Sequence, residues 1–198
     1  MKTSIKTLIA TSLTTIVLTS AIFATSAMAA EKRLETASAP AAPFKKVVVK
    51  GNVEVTLIQR QTEGVTYADE NTGKAKITQE GNVLRITSVD KEVTRLVVYV
   101  NDIYRIEASE NAIVKTSGKI KSKYLQIFLS GNAQADINSA TEGLYTVISD
   151  NSDLKLSGST DKHTLVMGKT PKLTIDRFAA LKTNISSSES VVTEIASL

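Results

Sequence analysis

The segment QIFLSGNAQADI (residues 126–137) decides the fold, because similar segments recur on both sides of it at nearly constant spacing. Its Asn132 lies 21 residues after Asn111 and 19 before Asn151, and Thr170 takes the same place 19 residues later. Repeats of about twenty residues that are rich in β-formers are typical of solenoids, in which each coil stacks on the next. The spacing therefore predicts an all-β protein with a parallel β-helix or a closely related solenoid of 19–21 residues per coil.

Apolar and polar residues alternate on both sides of each corner. Around Asn132, for example, Leu129 and Ala135 stand three residues away, and Ile127 and Ile137 stand five residues away. Alternation with period two is the pattern of a strand with one buried face, so each coil is predicted to be strand, Asn corner, strand. The inward set is Ile106, Ala108, Val114, Thr116, Ile127, Leu129, Ala135, Ile137, Thr146, Ile148, Leu154, Leu156, Leu165, Met167, Leu173 and Ile175.

One row of predicted outward positions is apolar or aromatic instead of polar. It contains Phe128, Tyr145, Val147 and Val166. Contiguous exposed apolar area marks an interface, and a ring with a polar tip suits a sugar or a protein partner. Three interpretations are open: the N-terminal half (residues 44–100) folds over this row, the row binds a protein partner or a second copy, or it binds a glycan.

The three corner residues Asn111, Asn132 and Asn151 form a column in the predicted stack. Asn tolerates left-handed turns and hydrogen-bonds nearby backbone, and stacked Asn side chains stabilise neighbouring strands through their amides. We therefore predict a structural corner ladder, with presentation of the amides to a sugar as the alternative.

The inventory of catalytic groups is small. The chain has one histidine and no cysteine, so nucleophilic chemistry would depend on His163, which falls at an inward position at the edge of the column. Asp136 and Asp153 lie on neighbouring coils and could serve as an acid–base pair or bind calcium, but Lys115 and Lys155 flank Asp136 and favour charge pairing. We predict no catalytic, cofactor or metal site. The alternatives are a polysaccharide-acting enzyme and a periplasmic envelope scaffold.

The N-terminus predicts export. Residues 1–29 have two lysines, an apolar run over 8–23 and a small-residue cleavage site at 27–29, which together read as a signal peptide. Residues 30–43 form a leader that we expect to be flexible. No second stretch is apolar enough for an integral membrane segment. Loss of the two lysines with the signal peptide would lower the net charge from +4 to about +2, which is too weak and scattered to indicate nucleic acid. We expect a periplasmic or cell-surface protein.

The mature chain divides softly near Asn101. Residues 44–100 contain short strand-like runs separated by turns, and the regular repeat covers 101–198. Val191, Val192 and Ile195 resemble a last coil without a polar cap, which suggests end-to-end self-association.

Three segments resemble the bacterial head GIN domain family: FKKVVVKGNVEV (44–55), LVVYVNDI (96–103) and SGNA (130–133). The resemblance implies one exported unit over 44–198, a right-handed β-helix-like fold and an adhesive role without an established ligand. It brings no catalytic residues. The combined prediction is an exported, non-catalytic, adhesin-like binding or structural module that acts through an exposed β-helix face on an unknown protein or glycan.

Overall fold

The computed structural model describes residues 43–88 and 90–188. The predicted signal peptide, nearly all of the leader, and the terminal residues Val191, Val192 and Ile195 lie outside the described residues. Within the described residues, no helix is long and apolar enough to cross a membrane.

The described chain is all-β, as predicted, and its twelve strands join in one mixed sheet. The strands are β1 (Lys46–Gly51), β2 (Val53–Gln59), β3 (Gly64–Tyr67), β4 (Lys76–Glu80), β5 (Val83–Ser88), β6 (Thr94–Val100), β7 (Arg105–Ser109), β8 (Ile113–Thr116), β9 (Ile120–Leu129), β10 (Gln134–Ile148), β11 (Asp153–Met167) and β12 (Lys172–Ser187).

The repeat period equals the spacing between hydrogen-bonded partners in the last strands. β10 and β11 pair in parallel from Gln134 opposite Asp153 to Ile148 opposite Met167, an offset of 19 residues. β11 and β12 keep this offset as far as Leu156, where a bulge adds one residue. Repeated segments therefore lie side by side and place equivalent side chains in rows across the strands.

The sheet curls around its core because the long strands turn a corner. The first residues of β10 pair with β8, and its residues from Ser139 onward pair with β9. The first face consists of β3, β6, β2, β8 and the first parts of β10–β12. The second face consists of β4, β5, β1, β7, β9 and the second parts of β10–β12. Inward residues of both faces, such as Leu57 and Ile127, belong to one buried apolar cluster.

The N-terminal strands are not stacked in sequence order. β1 lies between β5 and β7, and β2 lies between β6 and β8, in parallel on both sides. β3 and β4 pair antiparallel with β6 and β5 and close this end of the stack. Residues 44–100 thus extend both faces edge to edge and share the core of the repeats.

The corners differ from the prediction in which residue is left-handed. Positive φ values occur at Glu110 (61°), Gly131 (67°) and Asp150 (57°), one residue before each Asn. A Cβ atom on Gly131 would lie only 3.0 Å from the backbone nitrogen of Glu110 in the adjacent corner. Glycine therefore suits this close approach as well as the left-handed turn.

Candidate functional site

The four residues of the predicted apolar row come together on the outer surface of the second face. Phe128, Val147 and Val166 are register partners on β9, β10 and β11. Tyr145 precedes Val147 by two residues on β10 and therefore points to the same side. The Phe128 and Tyr145 rings lie 5.9 Å apart between centroids at an angle of 54°.

The N-terminal strands do not cover this row in the described part of the chain. Val48 on β1 and Glu107 on β7 continue the row of Phe128, because the strands pair edge to edge. The interpretation in which residues 44–100 fold over the row is therefore wrong. Phe128, Val147 and Val166 remain half-buried by their neighbours in the sheet, and Tyr145 is 36% exposed.

Arg105 explains why a phenylalanine is tolerated on the outer surface. Its guanidinium carbon lies 4.2 Å from the centroid of the Phe128 ring, and its Nε donates to Gln126 Oε1 at 2.8 Å. A cation over an aromatic ring stabilises such a site by roughly 0.5–1 kcal/mol where solvent has access. Glu107 lies 3.4 Å from Arg105 and 2.7 Å from Lys46 Nζ, so its charge is compensated.

A groove runs beside the row, with a volume of about 260 Å³. We call it the serine groove, and it is lined by Val48, Glu107, Ala108, Ser109, Phe128, Leu129, Ser130, Val147 and Ser149. Ser109 and Ser130 have side chains without a hydrogen-bond partner among the described residues, whereas Ser149 Oγ donates to the Leu129 carbonyl at 3.3 Å. The sequence does carry a signal for this column, since a serine stands two residues before each of the three corner asparagines.

Tyr124 is a second feature that sequence reasoning missed. It is 59% exposed and lies opposite Gly143 on the outer side of the second face. A Cβ atom at Gly143 would come within 2.8 Å of Tyr124 Cδ1, so the glycine leaves room for the ring. Tyr124 and Phe128 are four residues apart on β9 and share a side, which alternation within the strand could have revealed.

The outer surface of the first face carries paired charges. Lys155 Nζ lies 3.6 Å from Asp136 Oδ2, and Lys115 Nζ donates to Glu54 Oε1 at 2.6 Å. Arg95 also approaches Glu54, at 3.4 Å. The hydrogen bond from Lys115 holds the pKa of Glu54 below its ordinary value, against the opposing effect of burial. Asp136 is thus paired with Lys155, as predicted, whereas Lys115 pairs with Glu54 from the N-terminal half instead of with Asp136.

His163 lies inside the core and is only 1% exposed. Its Nε2 is 2.9 Å from Thr146 Oγ1, and the edge of its ring meets Phe178 at 5.5 Å between centroids. Burial lowers the pKa of His163, which favours the neutral ring. A substrate has no access to this position, so the one histidine is placed for packing. Among the described residues, no three metal-ligating side chains are grouped to hold an ion.

The corner asparagines form a chain of amide hydrogen bonds that starts in the N-terminal half. Asn132 Nδ2 donates to Asn111 Oδ1 at 3.2 Å, and Asn111 Nδ2 donates to Asn52 Oδ1 at 3.3 Å. Asn52 was not foreseen, because it lies 59 residues before Asn111, outside the spacing of 19–21 residues. Asn151 occupies the next corner, but its side chain has no hydrogen-bond partner among the described residues.

Solved structures share this fold at low sequence identity. A putative adhesin from Parabacteroides distasonis ATCC 8503 superposes with a TM-score of 0.55 at 13% identity, covering 76% of each chain. A putative lipid binding protein from the same organism gives a TM-score of 0.52 at 12% identity, covering 74% of this chain and 75% of the other. None of the curated proteins compared with the chain matches it.

A family profile covers most of the chain. The profile described as "Putative auto-transporter adhesin, head GIN domain" matches residues 43–196, which include all twelve strands. This match confirms the family that the segments at 44–55, 96–103 and 130–133 indicated. The chain belongs to the head GIN domain family.

Proposed function

We propose that this protein is an exported, non-catalytic binding module of the adhesin type, which acts through the outer surface of the second face. The observation that carries the proposal is the row of Phe128, Tyr145, Val147 and Val166, which is apolar and partly exposed, and over which no other described strand folds. Apolar and aromatic side chains on an accessible surface are the usual mark of a recognition site.

The scaffold suits this role because it holds the row on paired strands instead of loops. We propose that the coils wind as a right-handed β-helix-like solenoid. The parallel pairing at a 19-residue offset and the family both support this geometry. Side chains in such rows are fixed by the backbone ladder, so binding requires little ordering of the protein.

The proposal also includes export of the protein and a non-catalytic role. The pattern of residues 1–29 and the adhesin label of the family favour a position in the periplasm or on the cell surface. His163 is enclosed in the core, and Asp136 is paired with Lys155. These placements argue against an acid–base site, and the binding partner is therefore expected to leave unchanged.

The test compares two substitutions on the same strand. Tyr145→Asp places a charge in the row, whereas Gln134→Asp changes another exposed residue of β10, on the first face. Labelled mature protein is applied to bacterial and epithelial cells and counted by flow cytometry. We expect Tyr145→Asp to lose cell binding at an unchanged melting temperature and Gln134→Asp to bind like the wild type. Equal binding by all three proteins would refute the proposal.

Localisation is tested separately by adding protease to intact cells of the producing bacterium, with a known periplasmic protein as control. Cleavage without lysis supports a surface adhesin. Protection until the envelope is broken would remove adhesion to other cells and leave a periplasmic binding role.

Self-association is a second candidate, and the observation that favours it is the free edge of β12. Among the described residues, no strand pairs with β12 on the side away from β11. Ile175, Leu181 and Ile185 are 54%, 86% and 68% exposed there. An unpaired edge with apolar side chains invites a further strand. A mass that rises with concentration in sedimentation, and that Leu181→Lys reduces to the monomer, supports this candidate, whereas a constant monomer mass contradicts it.

A further inference from the structure

We propose that the serine groove binds a segment of a neutral polysaccharide. This inference rests on the proposed function and names the class of ligand for that surface. It starts from two walls of different chemistry, which are the apolar Phe128 and Val147 on one side and the hydroxyls of Ser109, Ser130 and Ser149 on the other.

The two walls match the two kinds of surface that a sugar ring presents. A pyranose has faces of C–H groups, which pack on apolar and aromatic side chains, and a rim of hydroxyls, which exchange hydrogen bonds. The hydroxyls of Ser109 and Ser130 have no partner among the described residues, so each can donate one hydrogen bond and accept others. A purely apolar ligand such as an acyl chain would leave both hydroxyls without a partner.

The charges near the serine groove favour a neutral ligand. Glu107 lies at its end, but Lys46 and Arg105 already compensate that carboxylate. Lys50 continues the serine row on β1 and pairs with Glu110 at 3.2 Å. Arg105 is further engaged by Gln126 and by the Phe128 ring. A charged ligand would therefore have to compete with existing ion pairs.

The size of the exposed apolar row favours a glycan over a protein partner. Stable protein interfaces bury about 800 Å² on each side. Each side chain of the apolar row exposes at most 36% of its area. Even a large aromatic side chain offers only about 250 Å² in total. The four side chains alone therefore supply only part of the area of a protein interface, whereas a groove of about 260 Å³ has room for a sugar unit.

The arrangement along the column favours a polymer. Ser109, Ser130 and Ser149 stand at equivalent places on successive strands, since the Ser130 amide bonds the Ala108 carbonyl and the Ser149 amide bonds the Leu129 carbonyl. Adjacent strands are about 4.8 Å apart, so one hydroxyl recurs at that interval. A linear chain that crosses the strands would meet a serine at each step.

The experiment follows backbone amide signals by ¹H–¹⁵N NMR while neutral trisaccharides (cellotriose, maltotriose and mannotriose) are added to mature protein at millimolar concentrations. Trigalacturonic acid and phosphatidylcholine–phosphatidylglycerol vesicles are tested in parallel. Ser130→Ala removes a groove hydroxyl, and Ser157→Ala is the matched control, because Ser157 is a half-buried serine on the first face. Loss of one ligand hydrogen bond is expected to weaken binding about 3- to 10-fold.

Saturable shifts at the amides of Ser109, Ser130 and Val147 with a neutral trisaccharide, weakened by Ser130→Ala and unchanged by Ser157→Ala, support the inference. Absence of such shifts, shifts elsewhere, or stronger binding of the acidic trisaccharide or of vesicles would overturn it. The proposed function is judged independently by Tyr145→Asp on cells. Loss of cell binding in that variant without any response to neutral sugars would leave the function standing and reject the polysaccharide.

Discussion

The two ends of the strand stack differ in how they are closed and in how their buried polar groups are satisfied. At the N-terminal end, β3 and β4 close the stack, and the buried hydroxyl of Ser88 bonds Thr94 and the Lys74 carbonyl. At the other end, no strand among the described residues pairs with β12 on the side away from β11, and Ser139 Oγ and His163 Nδ1 lie buried without a hydrogen-bond partner in that part of the chain. An unsatisfied buried polar group costs about 1–3 kcal/mol, so we infer that stability declines towards β12.

The largest effect is expected from truncating an isoleucine in the middle of the stack, compared with the same substitution at the open end of the same inward row. Ile127 is fully buried between Ile106 and Thr146, whereas Ile185 in the same row is 68% exposed. Ile127→Ala should cost about 2–5 kcal/mol of unfolding free energy, because it removes buried methyl groups and leaves a cavity. Ile185→Ala should cost less than about 0.5 kcal/mol. Urea unfolding measures both, and similar losses would show that the open end is as well packed as the middle.

The sequence predicted the regular pairing of β10 with β11 better than the irregular arrangement of the N-terminal strands. The 19-residue spacing of Asn132 and Asn151 is the offset at which β10 pairs with β11. The placement of β1 between β5 and β7 was not predictable, because Lys46 pairs with Val83 and Arg105, which lie 37 and 59 residues away and outside the spacing of 19–21 residues. Tertiary pairing over such distances leaves no periodic signal.

The sequence predicted the side chains of the candidate site but not whether another segment covers them. Phe128, Tyr145, Val147 and Val166 were found because alternation assigns each residue of a strand to a side. Whether that side was covered depended on the path of residues 44–100, which the sequence did not reveal. The serine column was visible two residues before each corner, but serine is common in turns and gave no reason to single it out.

A second prediction uses pH to test the stability of the β12 end, where His163 lies buried on the neighbouring strand β11. Burial depresses the pKa of His163 below its ordinary value of 6.5. The unfolded chain therefore takes up a proton before the folded protein does, and stability is lost as the pH falls below 6.5 towards the folded pKa. The loss is at most about 1.4 kcal/mol per pH unit. His163→Leu should flatten this dependence, measured by urea unfolding between neutral and mildly acidic pH.

The control for that experiment is the unfolding free energy of His163→Leu near neutral pH. Leucine occupies the equivalent positions 125 and 144 of the same row, so the variant is expected to fold. The Thr146 hydroxyl loses its partner, which offsets the gain from the apolar side chain. If the wild type and His163→Leu lose stability in parallel on acidification, the histidine is not the source of the effect.

A third, smaller effect is expected in the corner ladder. Asn132 shares an amide hydrogen bond with Asn111, whereas the Asn151 side chain has no such bond among the described residues. Asn132→Leu should lower the unfolding free energy by about 1 kcal/mol, the usual contribution of one hydrogen bond. Asn151→Leu should change it by less than about 0.5 kcal/mol. Thermal unfolding of both variants provides the comparison, and an equal decrease would mean that the ladder extends through the third corner.

The smallest effect concerns the charges of the first face, where Glu54 comes from the N-terminal half and Asp136 from the repeats. The Glu54 side chain is 22% exposed and contacts Lys115 and Arg95, whereas Asp136 is 51% exposed and contacts Lys155. Glu54→Gln should cost about 1 kcal/mol and Asp136→Asn about 0.3 kcal/mol, because solvent screens the more exposed pair. Both costs should shrink in high salt.

The pH dependence of stability distinguishes the contribution of Glu54 from that of His163. The folded pKa of Glu54 lies below its ordinary value of 4.5, so its contribution is complete above 4.5 and is lost as the pH falls through the folded pKa. Glu54→Gln should therefore reduce the acid sensitivity below pH 4.5 and leave the dependence near pH 6 unchanged. Denaturant unfolding of wild type and variant across both windows measures this. A change near pH 6 would show that the first-face charges and the buried histidine are coupled across the core.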